Sequence, residues 1–349
     1  MQPTFAQRLI DWQSTHGRHD LPWQVSDPYR VWLSEIMLQQ TQVITVIPYY
    51  ARFLARFPDV ANLAAAPLDD VLALWSGLGY YTRARNLHAA AVQVMTRFGG
   101  IFPRTPEDIA SLPGVGRSTA AAIAAFSYNT RSAILDGNVK RVLARWAAVD
   151  GNVASRAIEN HLWALADTLL PGAEGMPAYT QALMDLGATV CTPKKPACLM
   201  CPVHDDCQAR LQGRQLELPW PKPKKTLPQR ETVMLLMRDD HGRLLLEQRP
   251  PSGIWGGLWS LPEVAATLEA EASALSRFGV QIELEPVQAE IVHTFTHFKL
   301  IITPQPARVL GFSGAQESGV RWFTPQQALE AGIPTPLRRL LLAQVPDLS

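Results

Sequence analysis

Two carboxylates and four thiols stand out as groups whose surroundings could do chemistry. Glu35 sits in Val31-Trp32-Leu33-Ser34-Glu35-Ile36-Met37-Leu38, an otherwise apolar helical stretch. A carboxylate placed between Leu33 and Ile36 is either a rim residue or a buried one, and a buried carboxyl holds its proton to higher pH and can act as an acid. Asp136 opens Asp136-Gly137-Asn138-Val139-Lys140-Arg141. Asp-Gly-Asn ahead of an apolar helical run is good N-cap chemistry, and a cap can also face a ligand. The chain's four cysteines are Cys191, Cys198, Cys201 and Cys207, all within 17 residues. That clustering points to one tetrahedral site, for zinc or for an iron–sulfur cluster. Leu112-Pro113-Gly114-Val115-Gly116 separates two helical segments. Its glycines allow a tight turn and close backbone approach, and the helix starting near Arg117 offers free amides and a dipole to a phosphate. Such a turn positions a nucleic acid without reading its sequence.

Helical periodicity dominates the region that carries these groups. Helices are expected from Phe5, then over 31–47 with Pro28 ahead and Pro48 as the stop, and over 61–75, 83–98, 106–111, 117–127, 138–149, 156–170 and 177–190. No alternating strand pattern appears there. Leu218 to Pro228 holds four prolines in eleven residues and reads as an extended connector. Beyond it the texture changes, with strands expected at 232–237, 244–248, 281–285, 297–303 and 319–323, and helices at 263–278 and 325–331. An all-α domain over 1–215, a linker over 216–229 and an α+β domain over 230–346 follow.

Composition excludes several classes. Of 349 residues, 47% are apolar and 18% charged, so the chain folds rather than remaining disordered. Lys plus Arg number 32 and Asp plus Glu 31; residues 1–225 carry +4 and the remainder −3. A small excess concentrated on one face is compatible with nucleic-acid binding. The longest small-apolar run, Thr119–Phe126, falls far short of the roughly 20 residues of a membrane span. Arg8 and Asp11 in an amphipathic start do not read as a signal peptide, and the cysteine usage fits a reducing cytoplasm better than a disulfide framework.

The Leu-Pro-Gly-Val-Gly turn resembles the helix-hairpin-helix motif of DNA-binding proteins. Hairpin, following aspartate and four-cysteine loop occur in the order and spacing of the endonuclease III superfamily of DNA glycosylases. Leu21-Pro22-Trp23, Val31 to Gln42, Gly77-Leu78-Gly79-Tyr80-Tyr81 and Leu135 to Arg145 resemble its adenine-specific MutY branch. The resemblance implies a helical glycosylase domain with a 4Fe–4S cluster on Cys191, Cys198, Cys201 and Cys207. It implies Glu35 as the general acid that protonates adenine at N7, and Asp136 as the carboxylate stabilising the positive sugar. Leu112, Gly114, Val115, Gly116, Ser118, Asn138 and Lys140 become DNA contacts, with Gln40 and Tyr80 filling or wedging the stack around a flipped base. Trp23 and Asp185 match positions near the pocket or cluster. Relatives with lyase activity carry a lysine at the position of Ser118; a hydroxyl forms no imine, so a monofunctional enzyme is expected. The partner implied is double-stranded DNA with adenine opposite 8-oxoguanine or guanine, bound by a monomer at the bacterial nucleoid, with no membrane association.

The second domain resembles the Nudix fold of 8-oxo-dGTP hydrolases through Arg249 to Trp259. The Arg-Glu-x-x-Glu-Glu run that would bind Mg²⁺ is missing, since the following helix reads Glu269 to Arg277 with separated acids. A recognition module remains, with Phe295-Thr296-His297 in place of the family's Phe-Ser-His loop toward 8-oxoguanine. The alternatives are a bifunctional lyase acting on oxidised pyrimidines, a silent iron–sulfur DNA-binding protein, and a pyrophosphohydrolase carrying a DNA-binding domain. The cluster assignment makes the purified protein yellow-brown with about four irons per chain. Metal analysis of anaerobically prepared protein checks this, and stoichiometric zinc would overturn it.

Overall fold

The computed structural model describes residues 3–172, 174–221, 226–313 and 319–344. The chain divides into two compact units, Met1–Ala65 with Ala89–Lys224, and Ala66–His88 with Lys225–Ser349. The expected linker, 216–229, lies partly outside the described residues, as does the end of the expected second domain. Leu218, inside that linker, is buried in the first unit and accepts a hydrogen bond from Arg145 Nε at 2.8 Å. Residues 66–88, from the helical half of the sequence, pack with the second unit.

The first unit is helical. Its elements are α1 (Phe5–His16), α2 (Pro28–Leu38), α3 (Val43–Arg56) and α4 (Val60–Ala65); α5 (Leu68–Trp75) and the start of α6 (Thr82–Arg97) fall in the second unit. Then follow α7 (Pro106–Ala110), α8 (Arg117–Tyr128), α9 (Gly137–Trp146), α10 (Arg156–Thr168), α11 (Met176–Asp185) and α12 (Gln208–Leu211). Side-chain caps start several of them: Thr4 accepts from Gln7 N, Asp27 from Arg30 N and Ser155 from Ile158 N. The helix expected over 31–47 is two helices. α2 buries residues nearly all round, whereas α3 buries only Val46, Tyr50 and Phe53 along one side. The two burial patterns need different orientations, and the chain breaks between them, with Gln40 at φ +59°. Pro48 lies inside α3 rather than ending it. The segment 61–75 is likewise split, at Pro67. No described helix is long and apolar enough to cross a membrane.

In the second unit the described strands form one sheet. They are β1 (Gln229–Arg238), β2 (Leu244–Gln248), β3 (Trp259–Ser260), β4 (Glu263–Val264), β5 (Val280–Leu284), β6 (Ile291–Thr294), β7 (Lys299–Phe312) and β8 (Val320–Phe323). The order β3-β2-β1-β7-β5 is antiparallel except for the central β1–β7 pair, which runs parallel from Gln229 opposite Lys299 to Arg238 opposite Arg308. Helix α13 (Ala270–Phe278) covers the sheet through Ala270, Ala274 and Phe278, against Val233, Leu235 and Val280; α14 (Pro325–Glu330) and α15 (Thr335–Gln344) follow β8. The helix expected from 263 begins only at 270, because 263–264 pair with β1. β6 and α15 were not expected. β6 alternates in exposure, but its four residues, Ile-Val-His-Thr, show no alternation of apolar and polar types in the sequence.

One close approach in the first unit sets the position of α9. Chain 186–190, a wide π-type turn between α11 and Cys191, passes α9 at Gly187, where a Cβ would lie 2.7 Å from Asn138 Cβ. Gly187→Ala should lower stability by about 1–3 kcal/mol through overpacking. Gly116→Ala, where a Cβ meets nothing within 4 Å, should change it far less. Urea unfolding of the two variants is the check.

Candidate active site

Glu35 is positioned by α2, whose other residues anchor it in the core. Val31, Trp32, Leu33, Ile36 and Met37 are all at most 2% exposed. Its carboxyl faces a pocket whose walls include Arg18, Trp23, Val43, Phe126, Gln181 and Met184. Burial, and secondarily the charge of Asp136, push the Glu35 carboxyl up to about 8. Arg18, the cation of this pocket, is already engaged. Its Nε donates to Asp185 Oδ1 at 2.7 Å and its backbone N–H to Asp185 Oδ2 at 3.0 Å, and Gln181 Nε2 donates to the same Oδ1 at 2.9 Å. Asp185 is 1% exposed and neutralises the guanidinium that would otherwise favour ionised Glu35. Arg18 and Gln181 were not expected from the sequence. Their only signal is proximity in the fold, across more than 160 positions.

Asp136 is the N-cap of α9 and its Oδ1 accepts from Val139 N at 2.7 Å. The residue is exposed, so it caps the helix and still faces outward. Its influence on Glu35 shows that the fold brings the two carboxylates, a hundred positions apart, into one electrostatic environment. Just ahead of it, Leu135 N donates to Ser118 Oγ at 2.9 Å.

The hairpin is α7, a turn with Gly114 at φ +77°, and α8. Gly116 is the N-cap of α8 at φ −88° and has no side chain to occupy the first-turn amides. Leu112 and Val115 are buried, so only their backbone can face a phosphate, and Val115 N is already bonded to Leu112 O. Asn138 Oδ1 accepts from Arg141, and Lys140 Nζ is paired with Glu159 at 2.6 Å. Gln40 is exposed at the α2–α3 turn.

The cysteine loop is gripped by α9. Arg141 donates to Cys191 O at 2.8 Å and Gly187 O at 2.7 Å, and Arg145 to Thr192 O at 2.8 Å, Pro193 O at 3.0 Å and Cys191 Sγ at 3.4 Å. All four thiols line one cavity with Val142, Arg145 and Leu186. Burial pushes the Cys201 thiol up to about 12, with the other three cysteines adding to the effect, so four thiolates here require compensating positive charge. Four cysteines around one cavity are placed to share one metal group.

In the second unit, Tyr80 and the Phe295-Thr296-His297 turn between β6 and β7 line one pocket of about 350 Å³. Tyr80 is 48% exposed at φ +49°. Tyr81 is buried, its hydroxyl donating to Ile333 O at 3.2 Å. Trp75 Nε1 and Arg83 both donate to Gly79 O, which holds the turn that presents Tyr80. Phe295 packs against Trp255, His293 and Phe298, leaving Thr296 and His297 exposed. The sheet acids Glu247 and Glu263 are paired with Arg277 and Arg249.

Residues 33–167 match the HhH-GPD superfamily of base excision DNA repair proteins, 191–207 the iron–sulfur binding domain of endonuclease III, and 232–343 a NUDIX domain. An adenine DNA glycosylase of Buchnera aphidicola subsp. Baizongia pistaciae is 37% identical over 339 residues, covering 97% of this chain and 95% of that one. The chain belongs to the adenine DNA glycosylase family. The adenine DNA glycosylase of Rattus norvegicus is 35% identical over 401 residues, covering 96% of this chain and 77% of the rat protein. A solved thermostable thymine-DNA glycosylase is 29% identical with a TM-score of 0.54, covering 60% of this chain and 95% of that one. An endonuclease III–DNA complex, at 19% identity and a TM-score of 0.50, covers 60% of this chain and 94% of that one and shares the fold. The chain carries the family's 4Fe–4S cluster, and the matched loop, 191–207, is the stretch that contains its four cysteines.

The raised Glu35 carboxyl has a cost in stability. Between pH 4.5 and about 8 the unfolded chain releases a proton that the folded chain keeps, so folding weakens as pH rises through that window. Glu35→Gln removes this ionisation. Its melting temperature should match the wild type near pH 4.5 and exceed it by several degrees at pH 8.5, which calorimetry across the range would measure.

Proposed function

We propose that the chain is a monofunctional glycosylase that removes adenine paired with 8-oxoguanine or guanine. Family membership makes it a DNA glycosylase. The observation that carries the mechanism is Glu35, a carboxyl held protonated near neutrality in a pocket beside Asp136. A flipped adenine entering that pocket receives the Glu35 proton at N7 and departs as a neutral base. Asp136 supplies negative charge to the oxocarbenium-like sugar, and water completes hydrolysis. Ser118 offers a hydroxyl where an imine-forming lyase needs an amine, so the product is an intact abasic strand. The α8 amides hold a backbone phosphate, Tyr80 wedges the stack and Gln40 fills the space left by the flipped base. Thr296 and its neighbours read the base opposite the target, and the protein works as a monomer on nucleoid DNA in a bacterial cytoplasm.

Single-turnover assays on duplexes with adenine opposite 8-oxoguanine or guanine test the reading. Glu35→Gln should lose about 10²–10⁴ in rate while still binding DNA. Asp136→Asn, which preserves a helix cap, should be severely slowed as well. Strand breaks should appear only after alkali. Thr296→Ala should reduce the preference for 8-oxoguanine roughly two- to tenfold. Full activity in Asp136→Asn would reduce Asp136 to a cap and remove the two-carboxylate mechanism.

A further inference from the structure

We propose that Ser118 is a positioning residue for excision, its hydroxyl fixing the chain at Leu135 and thereby the place of Asp136. The proposal rests on the two-carboxylate reading. Leu135 ends the extended segment between α8 and α9, where no sheet or helix neighbour bonds its amide. Its side chain is 3% exposed, and the bond to Ser118 Oγ at 2.9 Å is the one hydrogen bond its amide makes among the described residues. A buried amide without an acceptor is costly, so the segment would move if the hydroxyl were absent. Asp136 is then held from two sides, by Ser118 through the preceding peptide and by its own carboxylate on Val139 N.

The geometry gives this position a double use. Ser118 belongs to the first turn of α8, the turn whose amides Gly116 leaves without a side-chain cap and which the proposed function assigns to a phosphate. The element that grips DNA therefore also sets the distance from the sugar to Asp136. A lysine here would supply an amine; the serine supplies an acceptor for the loop that carries the carboxylate. The charged groups around Glu35 are few. Asp136 acts on it directly, Arg18 lines its pocket but is paired with Asp185, and Lys140 of α9 is paired with Glu159. A retreat of Asp136 would thus weaken the Coulombic push on Glu35 with no other charge compensating. Because the acid must hold its proton, the fall in rate at alkaline pH would move to lower pH.

Ser118→Ala and Ser118→Thr, each alone and Ser118→Ala also within Asp136→Asn, should be compared with wild-type protein. The measurements are single-turnover adenine release from pH 5 to 9.5 and duplex affinity with a non-cleavable adenine analogue. Ser118→Ala should be slowed about ten- to hundredfold, with affinity changed less than about threefold and the alkaline limb shifted downward. Ser118→Thr, which keeps the hydroxyl, should be near wild type. In the Asp136→Asn background Ser118→Ala should cost little more. A wild-type rate and profile in Ser118→Ala would overturn the proposal. So would a loss confined to affinity, a Ser118→Thr enzyme as slow as Ser118→Ala, or full additivity with Asp136→Asn. Undiminished activity in Asp136→Asn alone would instead remove the underlying mechanism.

Discussion

The desolvation of one carboxyl organises the catalytic unit. Glu35 is carried on a helix that is buried nearly all round, and it lines a pocket where the one cation among the described lining residues, Arg18, is already paired with a buried aspartate. Burial disfavours the anion, and Asp136 disfavours it further. Two carboxylates then sit in unequal surroundings: the enclosed one holds its proton to higher pH, while the exposed one caps α9. Pairing Arg18 with Asp185 is part of the same device, since a free guanidinium in that pocket would pull the proton off Glu35.

Helix α9 ties this chemistry to the rest of the unit. Its N-terminus presents Asp136, its first turn packs on Gly187 without room for a Cβ, and its Arg141 and Arg145 hold the carbonyls of the cysteine loop. The cysteine loop is therefore stapled to the helix whose N-terminus carries Asp136. The second unit fixes the Tyr80 turn in a similar way. Ile333 O accepts from Tyr81, and the Tyr80 turn is kept in a left-handed conformation by Trp75 and Arg83.

The sequence made local features legible. The cysteine spacing, the Leu-Pro-Gly-Val-Gly turn, the Asp-Gly-Asn cap and Glu35 on an apolar helix are all short patterns whose chemistry follows from residue type. What it concealed depends on distant partners. The break at Gln40 was hidden because Val31 to Ile47 contains no Gly or Pro to mark it; burial on different faces separates α2 from α3. The engagement of Arg18 with Asp185, and of Ser118 with Leu135, joins positions far apart in the chain. Residues 66–75 and 83–88 read as ordinary helix around the Gly77 to Tyr81 segment, and nothing local announces that 66–88 pack with the C-terminal unit. Leu112 and Val115 were legible as part of a DNA-binding turn, but their burial limits them to backbone contacts.

The central claim is that the half-buried Glu35 is protonated near neutrality because its carboxyl is desolvated and the charge of Asp136 acts on it. Titrating the Glu35 carboxyl directly, by carbon-13 NMR of glutamate-labelled protein with Glu35→Gln to assign the resonance, tests it. The account predicts a midpoint near 8 that falls when Asp136 is replaced by Asn. A midpoint in the ordinary glutamate range, about 4.3, and unmoved by that replacement, would contradict it.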